Sequence, residues 1–302
     1  MERLNSTMVQ SSFSNVGIVG RANSEQVVST IQQLIHLLDE HSCTVILDRA
    51  TSGFLAHHSL TVVELDALGG ICDLVIVVGG DGSLLGVARS LADYNVPVLG
   101  INRGRLGFLT DIKPTEVEVQ VSEVLAGKYT VEPRFLLNME VYRGETPVYQ
   151  ACALNDVVLH AGAAVHMIDF DLYMDDQFVY NQSSDGVIIA TPTGSTAYAL
   201  AGGGPIMHPK LDAIVVVPMH PHTLSSRPIV VDSSTEIKLV VESTGLKPCV
   251  SCDGQTSFTL ELGDILTVNK KPEYLQLLHP KTHDFYSACR SKLGWGNTLK
   301  IN

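Results

Sequence analysis

Basic residues are scarce in this chain, 20 against 32 acidic ones, and a single tryptophan stands among 302 residues. The resulting formal net charge of −12 repels nucleic acid and acidic lipid surfaces at long range, so neither is an expected partner. An anionic small molecule would have to be met by backbone N–H groups, a few local cations or a divalent metal. No uninterrupted apolar run approaches the ~18 residues of a membrane span. The first fifteen residues lack the apolar stretch and basic cluster of a secretory signal, so the expected location is cytoplasmic. Of the six cysteines, Cys43, Cys72, Cys152 and Cys289 are isolated in apolar surroundings. Cys249 and Cys252 make a C-x-x-C without a second ligand pair nearby, which reads as strand cysteine rather than zinc or redox chemistry. His57-His58 and the His220/His222 pair lack the i, i+4 spacing of helical metal ligands. Also missing are the Gly-Lys-Ser/Thr ending of a Walker loop, the lysine pattern of protein kinases and, in the first βα turn, the full G-x-G-x-x-G of hydride-transfer enzymes.

What is present is an ordinary globular composition, 45% hydrophobic and 17% charged, at a length that predicts about two domains. Its most informative stretch is LVIVVGGDGSLLGVAR, Leu74 to Arg89. Unbroken apolar residues before the glycines describe a central parallel strand covered on both faces. Asp81 then falls at the carboxyl end of that strand, the edge where open α/β sheets bind ligands. Gly79, Gly80 and Gly82 leave room for phosphate oxygens to approach backbone N–H groups. The carboxylate is a candidate general base or metal anchor. The competing reading is a tight turn whose aspartate caps a helix starting at Ser83.

Alternation of strand and helix extends over the first third. Strands are predicted at 16–19, 44–47, 74–78 and 96–101. A helix capped by Asn23 or Ser24 places Val27, Val28, Ile31, Leu34, Ile35 and Leu38 on one face, with further helices at 84–92 and 115–125. This rhythm implies a parallel sheet. From about Tyr129 short β-branched strands dominate: 136–142, 153–160, 167–173, 187–190, 214–217, 229–231, 237–241 and 265–269. The expected architecture is an N-terminal Rossmann-like α/β domain over 1–130 followed by a β-rich sandwich or two-layer domain over 131–275. A final segment, 276–302, carries a helix over 283–293 whose apolar stripe needs the helix-covered faces of the first domain.

Three other stretches bring polar groups. Leu154-Asn155-Asp156 sets an amide and a carboxylate at a strand start, suited either to ribose hydroxyls and base edges or to an Asx turn. Ser184-Asp185-Gly186 precedes a strand. The loop Thr191 to Tyr198 is rich in hydroxyl donors, and 196–201 is a candidate helix aimed at a phosphate.

The motifs GGDG at Gly79 to Gly82, NRGRLGFLTD at Asn102 to Asp111, LNDVVLH at Leu154 to His160, SDG at Ser184 to Gly186, TPTGSTAYALAGGGPI at Thr191 to Ile206 and SCDGQ at Ser251 to Gln255 stand in an order that resembles bacterial NAD kinases. GGDG is shared with lipid kinases and phosphofructokinases; the threonine-rich motif is much more specific. The resemblance implies ATP-dependent phosphorylation of the adenosine-ribose 2′-hydroxyl of NAD to NADP, with Mg²⁺ or Mn²⁺ accompanying the triphosphate, in a homotetramer or homodimer. It further implies that Asp81 takes the hydroxyl proton with Gly82 beside the phosphates, that Phe108 covers the adenine side, and that Asn155 and Asp156 hold the dinucleotide. Asp185, Thr193, Thr196, Ala197, Tyr198, Ala199, Leu200 and Ala201 resemble further NAD contacts, and His166, Ser183 and Gln255 match additional contact positions. Asp156 replaces a glutamate common in relatives, and Ser183 stands where some carry arginine. A lipid kinase should carry a basic or apolar membrane-facing segment, which this sequence lacks; a non-catalytic dinucleotide sensor would not need Asp81. No residue set has the spacing of a dedicated metal cage, so a structural metal is not expected.

Overall fold

The computed structural model describes residues 13–21, 24–103, 107–162, 167–242 and 247–295. In chain order these form β1 (Asn15–Gly20), α1 (Glu25–Glu40), β2 (Thr44–Asp48), α2 (Arg49–Ser52), β3 (Thr61–Val63), α3 (Leu68–Ile71), β4 (Leu74–Gly79), α4 (Asp81–Ser90), β5 (Pro97–Asn102), α5 (Val117–Leu125) and β6 (Tyr129–Arg143). Then come β7 (Thr146–Ala153), β8 (Asp156–His160), β9 (Ile168–Met174), β10 (Gln177–Ser184), β11 (Gly186–Ala190), α6 (Tyr198–Ala201), β12 (Ala213–Met219), β13 (Ile229–Asp232), β14 (Ile237–Val241), β15 (Cys249–Cys252), β16 (Thr256–Thr259), β17 (Ile265–Pro280) and α7 (Phe285–Leu293). The chain divides into two compact units, one drawn from Met1–Pro133 and Leu275–Asn302, the other from Arg134–Tyr274.

In the first unit β3, β2, β1, β4, β5 and the last part of β17 lie side by side, and every pairing is parallel. All six residues of β4 are buried, as its unbroken apolar run requires of a strand covered on both faces. The 3.6-residue periodicity of α1 puts Val27, Ile31, Leu34 and Leu38 inward, and Ser24 caps its first turn by accepting from the Val27 amide. With Val117, Val121 and Val124 of α5, these side chains close one face of the sheet. The C-terminal segment returns to this unit: Gln276–Leu278 pair with Pro97–Leu99, and Cys289 of α7 is fully buried.

The second unit is two β layers. One contains β10, β9, β14, the first part of β17 and the β6–β7 hairpin; the other runs β13, β12, β11, β8, β15, β16. Alternating side chains from both layers, among them Leu137, Phe170, Leu239 and Leu266 from one and Val157, Leu159, Ile189 and Val216 from the other, make a single core. β11 is buried on its second face too, where Ile188 and Ala190 meet Ala199 and Met207.

Three sequence expectations change. The helix after GGDG begins at Asp81, not near Ser83, because extended Gly80 already serves as its N-cap, its carbonyl accepting from Ser83 and Leu84. The strand expected over 153–160 is broken at Leu154-Asn155, since the Asp253 carboxylate takes the amides of Leu154, Asn155 and Asp156 that a continuous ladder would use. The helix expected over 196–201 is reduced to a 3₁₀ turn and the four residues of α6. Strands β3, β7, β10 and β16 were not anticipated, whereas β15 is the strand expected for Cys249 and Cys252.

Candidate active site

In the first unit, Asp81 sits in the opening turn of α4, where helix amides and dipole favour negative charge. Its carboxylate does not cap that helix. Instead Oδ2 accepts from the Phe108 amide at 2.8 Å, and Oδ1 accepts from the Leu109 amide at 3.2 Å, the Thr110 amide at 3.1 Å and the Thr110 hydroxyl at 3.0 Å. The Asn102 side-chain amide, at the end of β5, donates to Thr110 Oγ1 at 2.9 Å and so fixes that hydroxyl. Gly107 permits the approach: a Cβ there would lie 1.8 Å from Asp81 Oδ1. From α7, Lys292 Nζ reaches Asp81 Oδ2 at 3.3 Å and lies 4.7 Å from the centre of the Phe108 ring. Phe285 packs beside that ring, 6.3 Å between centroids. Gly82 is exposed in the first turn of α4.

The second unit holds a cavity of about 550 Å³ lined by Asn155, Asp156, His160, Asp185, Ala197, Tyr198 and Asp253 among others. Asp253 organises its floor, although its backbone φ is +52°, a conformation that the short polar side chain of Asp tolerates. Besides gathering three amides, it places a second carboxylate near Asp156, which is 4% exposed. Burial first, then the charge of Asp253, pushes the Asp156 carboxyl up to about 7. Near neutral pH the group is therefore divided between a protonated form, which donates and accepts, and a carboxylate, which only accepts. Burial likewise lowers His160, whose Nδ1 accepts from the Gly162 amide at 3.1 Å. Asp185 at the rim pairs with His220 at 3.0 Å.

The threonine-rich loop is shaped largely by its own hydroxyls. Thr191 Oγ1 donates to the Leu154 carbonyl at 2.6 Å and Ser195 Oγ to the Pro192 carbonyl at 2.7 Å, while Thr196 Oγ1 turns back to Thr193. Thr193 accepts at 3.0 Å from Arg134, itself 4% exposed. Gly194 lies so close to Asn155 that a Cβ would come within 2.1 Å of its carbonyl oxygen. The sequence-derived residues Asn155, Asp156, Asp185, Ala197 and Tyr198 therefore converge on one cavity. Ala199 packs in the core, Ser183 is half-buried, Gln255 is exposed in the β15–β16 turn, and Leu200 and Ala201 follow on α6. His166, like Gly104 to Leu106, lies outside the described residues.

Residues the sequence reading missed are Asn102, Gly107, Thr110, Asp253 and Lys292. The first four lay within quoted motifs, and the Asp253-Gly254 turn was their one local signal; nothing near Lys292 advertises a partner 211 positions away. Cys249 and Cys252 alternate half-buried and buried along β15. Strand positions three apart face opposite sides, so the two thiols do not converge. By contrast, folding does gather a donor group that sequence spacing hid: Asp111, His279 and His283, with donor atoms all within 4.8 Å of one another. Sequence spacing could not reveal the group, because its members are 168 and 172 positions from Asp111.

A parallel α/β unit with a carboxylate at a glycine-rich strand end, and a β-rich unit with a polar cavity, define a two-unit nucleotide enzyme. Residues 16–129 match the ATP-NAD kinase N-terminal domain, and 154–279 match the ATP-NAD kinase C-terminal domain. The NAD kinase of Alcanivorax borkumensis is 56% identical over 294 residues, 97% of this chain and 98% of its own. That of Azotobacter vinelandii is 60% identical over 288 residues, 95% and 98% of the two chains. Yeast NADH kinase, solved in complex with NADH, has the same fold at TM-score 0.88, with 23% identity over 97% of this chain and 94% of the other. An NAD kinase from Archaeoglobus fulgidus, solved in complex with ATP, follows at 0.72, with 25% identity over 92% and 99%. The chain belongs to the ATP-NAD kinase family. It is an enzyme with NAD kinase activity and uses ATP as phosphate donor; the lipid-kinase and sensor alternatives are not favoured.

Proposed function

We propose that the acceptor is the 2′-hydroxyl of the adenosine ribose, that Asp81 removes its proton, and that Asn155, Asp156, Asp185 and Tyr198 bind the dinucleotide. The observation that carries this reading is the fixed carboxylate at the end of β4, held by three amides and one hydroxyl. A ribose hydroxyl is a weak nucleophile at neutral pH, so a positioned base contributes typically ~10²–10⁴ in rate. Oδ1 has three donors and Oδ2 one amide plus the longer contact from Lys292. Displacing the lysine therefore frees Oδ2 to accept the hydroxyl proton. As that proton moves to Asp81, the ribose oxygen bonds to the γ-phosphorus and the bond to the ADP oxygen breaks. Phosphoryl transfer otherwise depends on alignment and charge neutralisation.

A magnesium ion travelling with ATP would be held mainly by the phosphates, one or two carboxylates and water. When bound, such an ion neutralises phosphate charge. Phe108, Gly82, Thr193, Thr196, His166, Ser183 and Gln255 are assigned to nucleotide contacts on motif position. A homotetramer or homodimer belongs to the same reading on the family resemblance alone. A cytoplasmic location is part of the same reading; no helix among the described residues is long and apolar enough to cross a membrane. Incubating the purified protein with NAD, ATP and Mg²⁺, and locating the new phosphate by NMR, tests the proposal. The expected product carries it on the 2′-oxygen of the adenosine ribose; phosphorylation elsewhere overturns the assignment.

A further inference from the structure

Asp111 directly follows the Phe108–Thr110 segment that holds Asp81. Its Oδ2 lies 2.9 Å from His279 Nδ1, at the end of β17, and 2.7 Å from His283 Nδ1, just before α7. The two imidazoles stack 3.8 Å apart, 18° from parallel. His279 is 1% exposed. Two buried polar atoms of the group, Asp111 Oδ1 and His279 Nε2, have no hydrogen-bond partner among the described residues. A purely hydrogen-bonded triad uses the Nδ1 protons and leaves both of those atoms idle, at a cost typical of buried polar groups.

A metal ion resolves that geometry differently. We propose that Asp111, His279 and His283 bind a transition-metal dication of the zinc type, which ties the segment cradling Asp81 to the start of the C-terminal helix. Two imidazole nitrogens and a carboxylate oxygen suit such an ion better than magnesium, which prefers oxygen donors. Metal–ligand bonds of about 2.0–2.2 Å place tetrahedral ligand atoms about 3.3–3.6 Å apart, so the His279 and His283 nitrogens, now 2.9 and 2.7 Å from Asp111 Oδ2, would move outward by about half an ångström or more. Each neutral imidazole would shift its proton from Nδ1 to Nε2, leaving Nδ1 to the ion. His279 Nε2–H would then point at Glu132 Oε1, now 3.9 Å away, the outer carboxylate that metal-bound histidines commonly have. The same peptide stretches also join through Phe108–Phe285 and Lys292–Asp81, so an ion here fastens one end of a seam whose other end is the carboxylate. This site is independent of the role assigned to Asp81.

The test uses the full-length, tag-free protein stripped by chelation and returned to chelator-free buffer. Cobalt(II) serves as the spectroscopic probe, zinc(II) as competitor and magnesium as control. The expected result is one saturable equivalent of Co²⁺ with the visible absorption of a low-coordinate nitrogen–oxygen site, displaced by one equivalent of Zn²⁺ and not by millimolar Mg²⁺. Zn²⁺ alone should raise the unfolding midpoint. His283→Gln and Asp111→Asn should weaken Co²⁺ binding by more than the about 10–100-fold that loss of an outer partner costs. Folded wild-type protein decides the matter even if a variant does not fold, because Zn²⁺ must shift the ring resonances of His279 and His283. Absence of saturable binding, unshifted His279 and His283 resonances, or undiminished binding by folded variants, as a surface pair such as His57-His58 would give, overturns the proposal.

Discussion

At the scale of single residues, Asp81 and Asp156 are two carboxylates kept in opposite surroundings. Asp81 is met by five donors on its two oxygens, whereas Asp156 is buried beside another carboxylate. Asn at position 81 keeps the shape but cannot take a proton, so Asp81→Asn should lower turnover by ~10²–10⁴, about 3–5 kcal/mol of barrier, while NAD affinity stays within a few-fold. Steady-state kinetics with a binding titration checks this; a folded variant keeping more than about a tenth of wild-type turnover would remove Asp81 as base. For Asp156 the linkage runs opposite to that of a salt-bridged carboxylate. Below its unfolded value the group is protonated in both states and contributes nothing. Between about 4 and about 7 the unfolded chain ionises while the fold retains the proton, so this contribution to stability declines as pH rises, and above about 7 the full penalty applies. That gap corresponds to at most about 4 kcal/mol. Asp156→Asn should accordingly match wild type in unfolding midpoint near pH 4 and exceed it increasingly toward pH 8. Melting curves across that range would show a flat difference if the penalty is absent.

Among elements, the decisive one is the short segment from Gly107 to Asp111, which has no regular structure and yet supplies four of Asp81's donors. Its dependence on glycine is steric: a methyl at 107 would overlap Asp81 Oδ1 at 1.8 Å and Thr110 Oγ1 at 2.5 Å. Gly107→Ala should therefore push the carboxylate from its nest, lowering kcat by at least about tenfold and costing about 1–3 kcal/mol of stability as overpacking does. Equal kcat in the variant would mean that the nest does not position Asp81. The strands and helices of the first unit were legible because their cores follow simple periods, unbroken in β4 and 3.6 in α1. The break between β7 and β8 was not, because it arises from Asp253, about a hundred positions downstream. Likewise the hydroxyls of the threonine-rich loop suggested free donors, but Thr191 and Ser195 spend theirs on nearby carbonyls. Motifs name the segments; which backbone groups meet within them is tertiary information.

For the whole molecule, a net charge of −12 sets the terms on which a triphosphate and a dinucleotide are accepted. Composition made that problem visible and suggested a metal, but it could not tell a metal carried by the substrate from one held by the protein. The described residues gather a nitrogen-rich donor group at Asp111, His279 and His283, whereas magnesium is commonly held by phosphates, one or two carboxylates and water; on the proposed reading it travels with ATP. Metal-free protein should then form no NADP from NAD and ATP until Mg²⁺ or Mn²⁺ is added. Millimolar Mg²⁺ should leave the unfolding midpoint of the ligand-free protein unchanged, since an ion that binds the folded chain weakly stabilises it little. With ATP present the same addition should raise the midpoint, because the ion then increases the affinity of a ligand that binds the folded state. A rise of several degrees from Mg²⁺ alone would place a magnesium site on the protein and refute the assignment of that ion to the substrate.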